Sequence, residues 1–142
     1  MAESSLPSEI RLDIVTPDHL VAHDAVTAVT IPGKNGYLGI LPGHAPLLTE
    51  LAPGELSYMS NGKQHYLAVT WGFAEVLGDR VIILAQTCER AEEIDIERAE
   101  KAKSRAEERL KRFAEPEVDM ERAREALSRA MARLETAQKF KA

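Results

Sequence analysis

The sequence predicts an α+β chain in two parts. An N-terminal antiparallel β-sandwich spans residues 1–88, and a C-terminal antiparallel two-helix hairpin spans residues 89–142. Three observations carry this reading. All eight glycines and six of the seven prolines precede residue 93. That first part consists of short runs of alternating apolar and polar residues separated by turn signals. The remainder is dominated by Arg, Lys, Glu and Ala, with Pro116 as its only proline. So abrupt a change marks a domain boundary. On the boundary stand Asp95 and Arg98, one helical turn apart.

Residues 10–16 alternate with the period of a half-buried strand. Pro17-Asp18 ends it, because proline has no N–H for a ladder and biases its neighbour. Residues 26–31 form the next strand, closed by Pro32-Gly33. Asn35-Gly36 then turns into a strand over residues 37–41. Residues 57–59 and 64–69 flank Ser60-Asn61-Gly62-Lys63, a hairpin signal. Residues 73–77 and 81–85 flank Gly78-Asp79, a second hairpin. Many short strands favour a sandwich or closed barrel, since an isolated sheet leaves one apolar face in water.

Residues 36–48 hold a glycine- and proline-rich loop. No Gly-Lys-Ser/Thr follows its glycines and the G-x-G-x-x-G spacing is missing, so they serve turns and tight packing, not phosphate. His44 has no nucleophile or acid beside it in sequence, which points to a structural or contact role. An apolar loop bracketed by Pro42 and Pro46 is a candidate partner surface.

From residue 94 to about residue 113 the chain has no Gly or Pro and is rich in strong helix formers. Ala99, Ala102, Ala106, Leu110 and Phe113 recur on one face. Glu97–Lys101, Glu107–Lys111 and Glu108–Arg112 are i,i+4 pairs in the favourable order, worth only about 0.2–0.5 kcal/mol each. Residues 114–117 break the helix, and Asp119 is suited to cap a second one over residues 120–139. Its seam is Met120, Ala123, Leu127, Ala130, Leu134 and Ala137, the spacing of a coiled coil. Alanine seams bury little surface, so the hairpin is marginal alone and must dock on the first part, on a partner, or move between them.

Arg98 and Arg105 share a face of the first helix, and Arg129 and Arg133 share a face of the second. Folded together, four guanidiniums converge in a way that suits phosphate oxygens. The same spacing also describes arginines on solvated helix faces with Asp95 as a plain N-cap. Spacing leaves both readings open.

Composition excludes several classes. Residues 1–88 hold nine acids and four bases, and residues 89–142 hold fourteen of each, so neither part has the basic excess of a nucleic-acid binder. No apolar run is long enough to cross a membrane, and residues 1–9 do not read as a signal or transit peptide. Cys88 is the single cysteine, which permits no internal disulfide or cysteine metal cluster and points to a reducing compartment, the cytoplasm. Its sequence context offers no activation as a nucleophile, which suggests a buried thiol. His19 and His23 have metal-ligand spacing only on a helix, and their surroundings read as strand or loop. No serine–histidine–acid motif is visible.

Over nearly its whole length the chain resembles the epsilon subunit of bacterial F-type ATP synthases. The resemblance is carried by Gly36-x-Leu38-Gly39-Ile40-Leu41-Pro42-Gly43-His44-Ala45-Pro46-Leu47-Leu48 and by Val81-x-x-Leu84-Ala85-x-Thr87. In the helical part it is carried by Asp95-x-x-Arg98-Ala99 and Arg129-Ala130-Met131-x-Arg133-Leu134. It implies a non-catalytic rotor subunit, with catalysis residing in other subunits. The β-sandwich would bind the gamma shaft and the c-ring, meeting them through Tyr37, Leu41, Pro42 and His44. Some members carry an acid at the position of Tyr37, and any charge contact that such an acid makes with the ring is missing here.

In the family the hairpin lies on the sandwich or extends up the shaft into the alpha/beta catalytic head, where it inhibits ATP hydrolysis. Some members bind ATP in the folded form through an Ile/Leu-Asp-x-x-Arg-Ala motif, which Ile94-Asp95-Ile96-Glu97-Arg98-Ala99 matches in full. Carried over by position, Glu89, Ile94, Asp95 and Arg98 would contact ATP, assisted by Arg105, Arg129 and Arg133. The resemblance further implies no required cofactor, with ATP as a regulatory ligand, and no nucleic-acid partner. It places the chain peripherally on the cytoplasmic face of the bacterial inner membrane, touching the membrane only through the complex. Two other readings are a structural rotor subunit with a nucleotide-indifferent hairpin, and a free-standing adenine-nucleotide-binding module.

Overall fold

The computed structural model describes residues 7–141. Ten strands form one strongly bent sheet: β1 Ile10–Val15, β2 Leu20–Val26, β3 Ala28–Gly33, β4 Gly36–Ile40, β5 Leu47–Leu51, β6 Gly54–Ser60, β7 Lys63–Val69, β8 Gly72–Leu77, β9 Arg80–Ala85 and β10 Cys88–Arg90. The order is β10-β7-β6-β3-β5-β8-β9-β1-β2, with β4 added on β3. A single pair, Gly33 with Leu51, joins β3 to β5, so the sheet folds there into two layers. Thr27 donates its N–H to the Met59 carbonyl at 2.9 Å and the Ser60 hydroxyl donates to the Ala25 carbonyl at 3.1 Å. Those bonds tie the end of β2 back to β6 and give the sandwich a barrel-like closure.

Alternation in sequence becomes a dry interior. Leu12, Ile14, Val26, Ile31, Leu56, Leu67, Val76, Val81 and Ile83 have no exposed surface and belong to one continuous core. Burying each contributes about 1.5–3 kcal/mol. The Asn61-Gly62 turn joins β6 and β7 with φ of 53° and 73°, the left-handed pair that a two-residue hairpin requires.

Three strands lie where the sequence reads as loop. β2 has an uneven burial pattern and a register shift against β1 between Ile14 and Val15, which blurs its period. β5 completes the apolar end of the glycine- and proline-rich stretch and pairs with β8 from Leu47–Val76 to Leu51–Gly72. β10 is three residues long, too short for any periodicity, and extends the sheet past residue 88. One pairing inside the sandwich, β1 with β9, is parallel. These strands are remote in sequence, so no tight turn forces them antiparallel.

A single 3₁₀ turn, Ala91–Glu93, leads to α1, Ile96–Lys111, and then α2, Met120–Lys141. The first helix was expected to begin at Ile94. Instead Ile94 is extended and ends the 3₁₀ turn, and Asp95 caps α1 by accepting the Arg98 N–H at 3.1 Å. Asp119 caps α2 likewise through the Arg122 N–H at 3.1 Å. Phe113, expected on the apolar face, lies beyond α1 and is 77% exposed. The Glu97–Lys101 pair forms at 3.2 Å, whereas Arg112 pairs with Glu115 at 3.5 Å in place of Glu108.

The helices meet along buried Ala99 and Ala106 of α1 and Ala123 and Ala130 of α2. It is α2 that lies against β6, β7 and the 3₁₀ turn. Ala132 and Thr136 are buried beside that seam, with the Thr136 hydroxyl satisfied by the Ala132 carbonyl at 2.7 Å. The buried apolar cluster joining hairpin to sheet is small: Ala68, Ile94 and Ala137, with Ile96 against them. Compared with the sandwich core, this contact has little surface to lose on release.

Candidate functional site: the arginine face of the hairpin

Docking the two alanine seams brings five guanidiniums around one cleft of about 310 Å³. Its walls are Arg98, Arg105 and Arg109 from α1 and Arg129 and Arg133 from α2, over a floor that includes Ala102 and Ala126. The four arginines expected to converge do so. Arg109 was missed, although it stands four residues after Arg105 and so on the same stripe. Small floor residues matter here, because they leave room between helices for a ligand instead of a side chain.

The remaining expected ligand residues divide. Glu89, on β10, places its carboxylate Oε1 3.0 Å from Arg133 Nε. That oxygen is shielded from solvent, yet the angle is too poor for a hydrogen bond, so the contact is an ion pair. Asp95 does not line the five-arginine cleft. It caps α1 and opens, with Glu97 and Lys101, onto an adjoining cleft of about 490 Å³ that shares Arg98 and Arg105. The side chain of Ile94 is 8% exposed and packs with Ala68 and Ala137. Its part is to seat the hairpin, so only its backbone is free to meet a ligand.

One contact had no signal in the sequence. Arg129 lies over the ring of Trp71, with Cζ 5.7 Å from the ring centroid. Trp71 sits in the turn between β7 and β8, far from the helices along the chain.

The expected partner-contact residues also separate. Leu41 is exposed, with Pro42 and His44 half-buried, on a loop tied to the β8–β9 turn by the Gly43 N–H donating to the Gly78 carbonyl at 2.7 Å. The His44 ring Nδ1 is 2.7 Å from the Ala45 carbonyl, which orients the ring locally. Tyr37 lies at the far end of β4, about 13 Å away along the strand. Its hydroxyl accepts the Glu55 N–H at 3.2 Å, and it lines a groove with Glu135, Gln138 and Lys139 of α2. In the docked state Tyr37 therefore faces the chain's own helix. Burial raises the Glu55 carboxyl above its ordinary range, opposed by Lys139.

An apolar row crosses the outer face of the second layer. Phe73 pairs with Leu84, Leu84 with Val15, and Val15 with Leu20. Phe73, Leu84 and Leu20 are each at least half exposed, and the hairpin lies over the other layer.

Two earlier candidates are accounted for locally. His23 pairs through Nδ1 with Asp13, the neighbour given by the β1–β2 register. Burial pushes the Cys88 thiol up to about 12, and its side chain packs against the sandwich core. A thiol so shifted is protonated at neutral pH and is a poor nucleophile.

Geometry thus defines a two-part protein: a closed β-sandwich carrying a docked helical hairpin, with an arginine-lined cleft between the helices and an uncovered apolar sheet face. The descriptions of known families agree with both parts. Residues 9–91 match the ATP synthase delta/epsilon chain beta-sandwich domain, and residues 92–138 match the delta/epsilon chain long alpha-helix domain. The ATP synthase epsilon chain of Koribacter versatilis is 63% identical over 100 residues, 70% of each chain. That of Nitratidesulfovibrio vulgaris is 50% identical over 110 residues, 78% of this chain and 82% of its own. A chain in the cryo-EM structure of Euglena gracilis mitochondrial ATP synthase, comprising OSCP, F1 and c-ring, superposes with a TM-score of 0.84 at 28% identity. That match covers 96% of this chain and 86% of the other. The chain belongs to the ATP synthase delta/epsilon family, as an epsilon chain. It is an accessory subunit and not the catalytic one.

Proposed function

We propose that this epsilon chain works in the central stalk of its synthase, joining c-ring rotation to the gamma shaft, and that its hairpin is an ATP-sensitive brake on hydrolysis. The observation that carries the second part is the cleft of five arginines, which exists only while the helices are packed together. Like charges gathered there repel one another, and a triphosphate relieves that repulsion with charge-assisted hydrogen bonds. Asp95 and Glu89 stand at the cleft's margin to receive the neutral, donor-bearing parts of a nucleotide, with Ile94 seating the helices between them.

A ligand that binds only the docked hairpin stabilises it by RT ln(1 + [L]/Kd), about 2.7 kcal/mol at a hundredfold excess over Kd. The small docking cluster makes a shift of that size decisive. When ATP falls, the helices leave the sandwich and extend along the shaft toward the alpha/beta head. The apolar row Phe73–Leu84–Val15–Leu20 and the Leu41–His44 loop then serve as the shaft and ring contacts, on the cytoplasmic face of the bacterial inner membrane. Release also frees Tyr37. Among the described residues no helix is long and apolar enough to cross a membrane, which fits attachment through partners.

A purely bracing hairpin draws support from the Glu89–Arg133 ion pair, which holds the helices without any ligand. Deleting residues 94–142 from the assembled complex separates the two readings. The deletion spares β10. The brake predicts faster ATP hydrolysis at low ATP with coupling retained, and an unchanged rate contradicts it.

A further inference from the structure

The two walls of the arginine cleft are held differently. Among the described residues, Arg98, Arg105 and Arg109 of α1 take part in no ion pair and are exposed. Both cleft arginines of α2 are gripped from the sandwich: Arg133 by the Glu89 carboxylate, Arg129 by the indole face of Trp71. A guanidinium over an indole is attracted by the ring's quadrupole, and tryptophan is the strongest of the aromatic partners.

Trp71 stands on a fixed platform. Its carbonyl accepts the Gln86 N–H at 2.8 Å, and next to it the Thr70 N–H donates to the Thr87 carbonyl at 3.1 Å. The Thr70 and Thr87 hydroxyls lie 2.7 Å apart. On its other side, a Cβ at Gly72 would meet the Leu84 carbonyl oxygen at 1.8 Å, so the backbone there is seated hard against β9. The indole is half-buried on a turn held from both sides.

We propose that Trp71 is a positioning residue of the arginine cleft: it holds the Arg129 guanidinium aimed across the cleft, so that binding phosphate oxygens and docking α2 on the sandwich become one coupled event. The proposal rests on the anion-binding reading of the cleft and adds the sandwich residue that couples it to docking. An arginine already fixed loses less side-chain freedom on meeting its ligand. By linkage, a ligand that uses Arg129 so placed favours the docked hairpin to the same degree that docking favours the ligand.

The test is calorimetric titration of the full chain with ATP and, separately, with inorganic tripolyphosphate, which carries the phosphate chemistry without base or sugar. Trp71→Leu is expected to weaken both by about three- to tenfold, and Trp71→Phe to restore most of the loss. On an Arg129→Ala background, Trp71→Leu is expected to add nothing. An unchanged affinity in Trp71→Leu, or an equal loss on the Arg129→Ala background, overturns the positioning role while leaving the anion site standing. Failure of the wild-type chain to bind either probe removes the anion site, and the positioning role with it. If Trp71→Leu does not fold, Trp71→Met keeps bulk without a ring face and takes its place. Emission of the chain's single tryptophan gives a second readout: saturation with tripolyphosphate shifts it in the wild type and not in Arg129→Ala. Indifference in both contradicts the proposal.

Discussion

Arg98→Ala is expected to weaken ATP binding by about ten- to a hundredfold while leaving the sandwich intact. Arg98 is exposed and, like Arg105, lines both the five-arginine cleft and the adjoining one, and it stands nearest in sequence to Asp95, which opens onto the second. One charge-assisted hydrogen bond is worth about 1.5–3 kcal/mol, which sets the size of the loss. The fold does not depend on this side chain. Only the Arg98 backbone N–H is used, donating to the Asp95 cap at 3.1 Å, and alanine is the better helix former. Titration calorimetry reads the affinity, and a matched thermal melt reads the fold. An affinity equal to wild type removes Arg98 from the site. A loss of folded structure shows instead that the boundary between the parts needs its guanidinium.

Gly72→Ala is expected to be the more damaging change to stability, by about 3 kcal/mol, or roughly 10 °C or more in Tm. The added Cβ would lie 1.8 Å from the Leu84 carbonyl oxygen and 2.9 Å from Ala85 Cα. Both are backbone atoms of the strand with which Gly72 pairs, so no rotamer change relieves the clash. Relief requires opening the β8–β9 ladder at the end where β5 also joins, since Leu51 pairs with Gly72. Gly78→Ala is the control. It has no heavy atom within 4 Å of its added Cβ and no left-handed φ, and a change within about 0.5 kcal/mol of wild type is expected there. Equal melting of both variants would mean that the turn yields where the packing says it is rigid.

The parts of this molecule that were legible in the sequence are those governed by short-range periodicity. Residues 80–85 declare their strand because buried and exposed positions alternate along it, and residues 63–69 declare theirs through the turn before them, where Asn61-Gly62 has one comfortable conformation. Asp119 declares its cap because a carboxylate just after a helix break has little else to do, whereas the spacing of Asp95 fits a cap and a ligand equally. What stayed hidden was set by tertiary contact. β2 carries Leu20, His23 and Asp24 on an edge, and its bulge against β1 breaks the period. β5 is hidden among prolines and glycines that are needed by the preceding turn. Ile94 reads as the first residue of a helix because its neighbours are helix formers, yet burial against Ala68 and Ala137 holds it extended.

The candidate site shows the same division. Arg98, Arg105, Arg129 and Arg133 were visible as two helical stripes, and Arg109 extends one of them by the same rule. That the stripes face each other depends on the direction of the alanine seams, which the 3-4-3 spacing of α2 supplied. Glu89 and Trp71 reach the site from the sheet through pairings no local pattern encodes. The resemblance groups Tyr37 with the loop at Leu41–His44, and the extended strand between them sets it at the other end of β4, facing α2.

If ATP holds the hairpin on the sandwich, hydrogen exchange of the full chain with and without saturating ATP registers it at the helix amides themselves. Amides within α1 and α2 are expected to slow by up to about a hundredfold at a hundredfold excess over Kd, while core amides of β1, β6 and β9 are unaffected. Helices that exchange at the same rate whether or not ATP is present would contradict it.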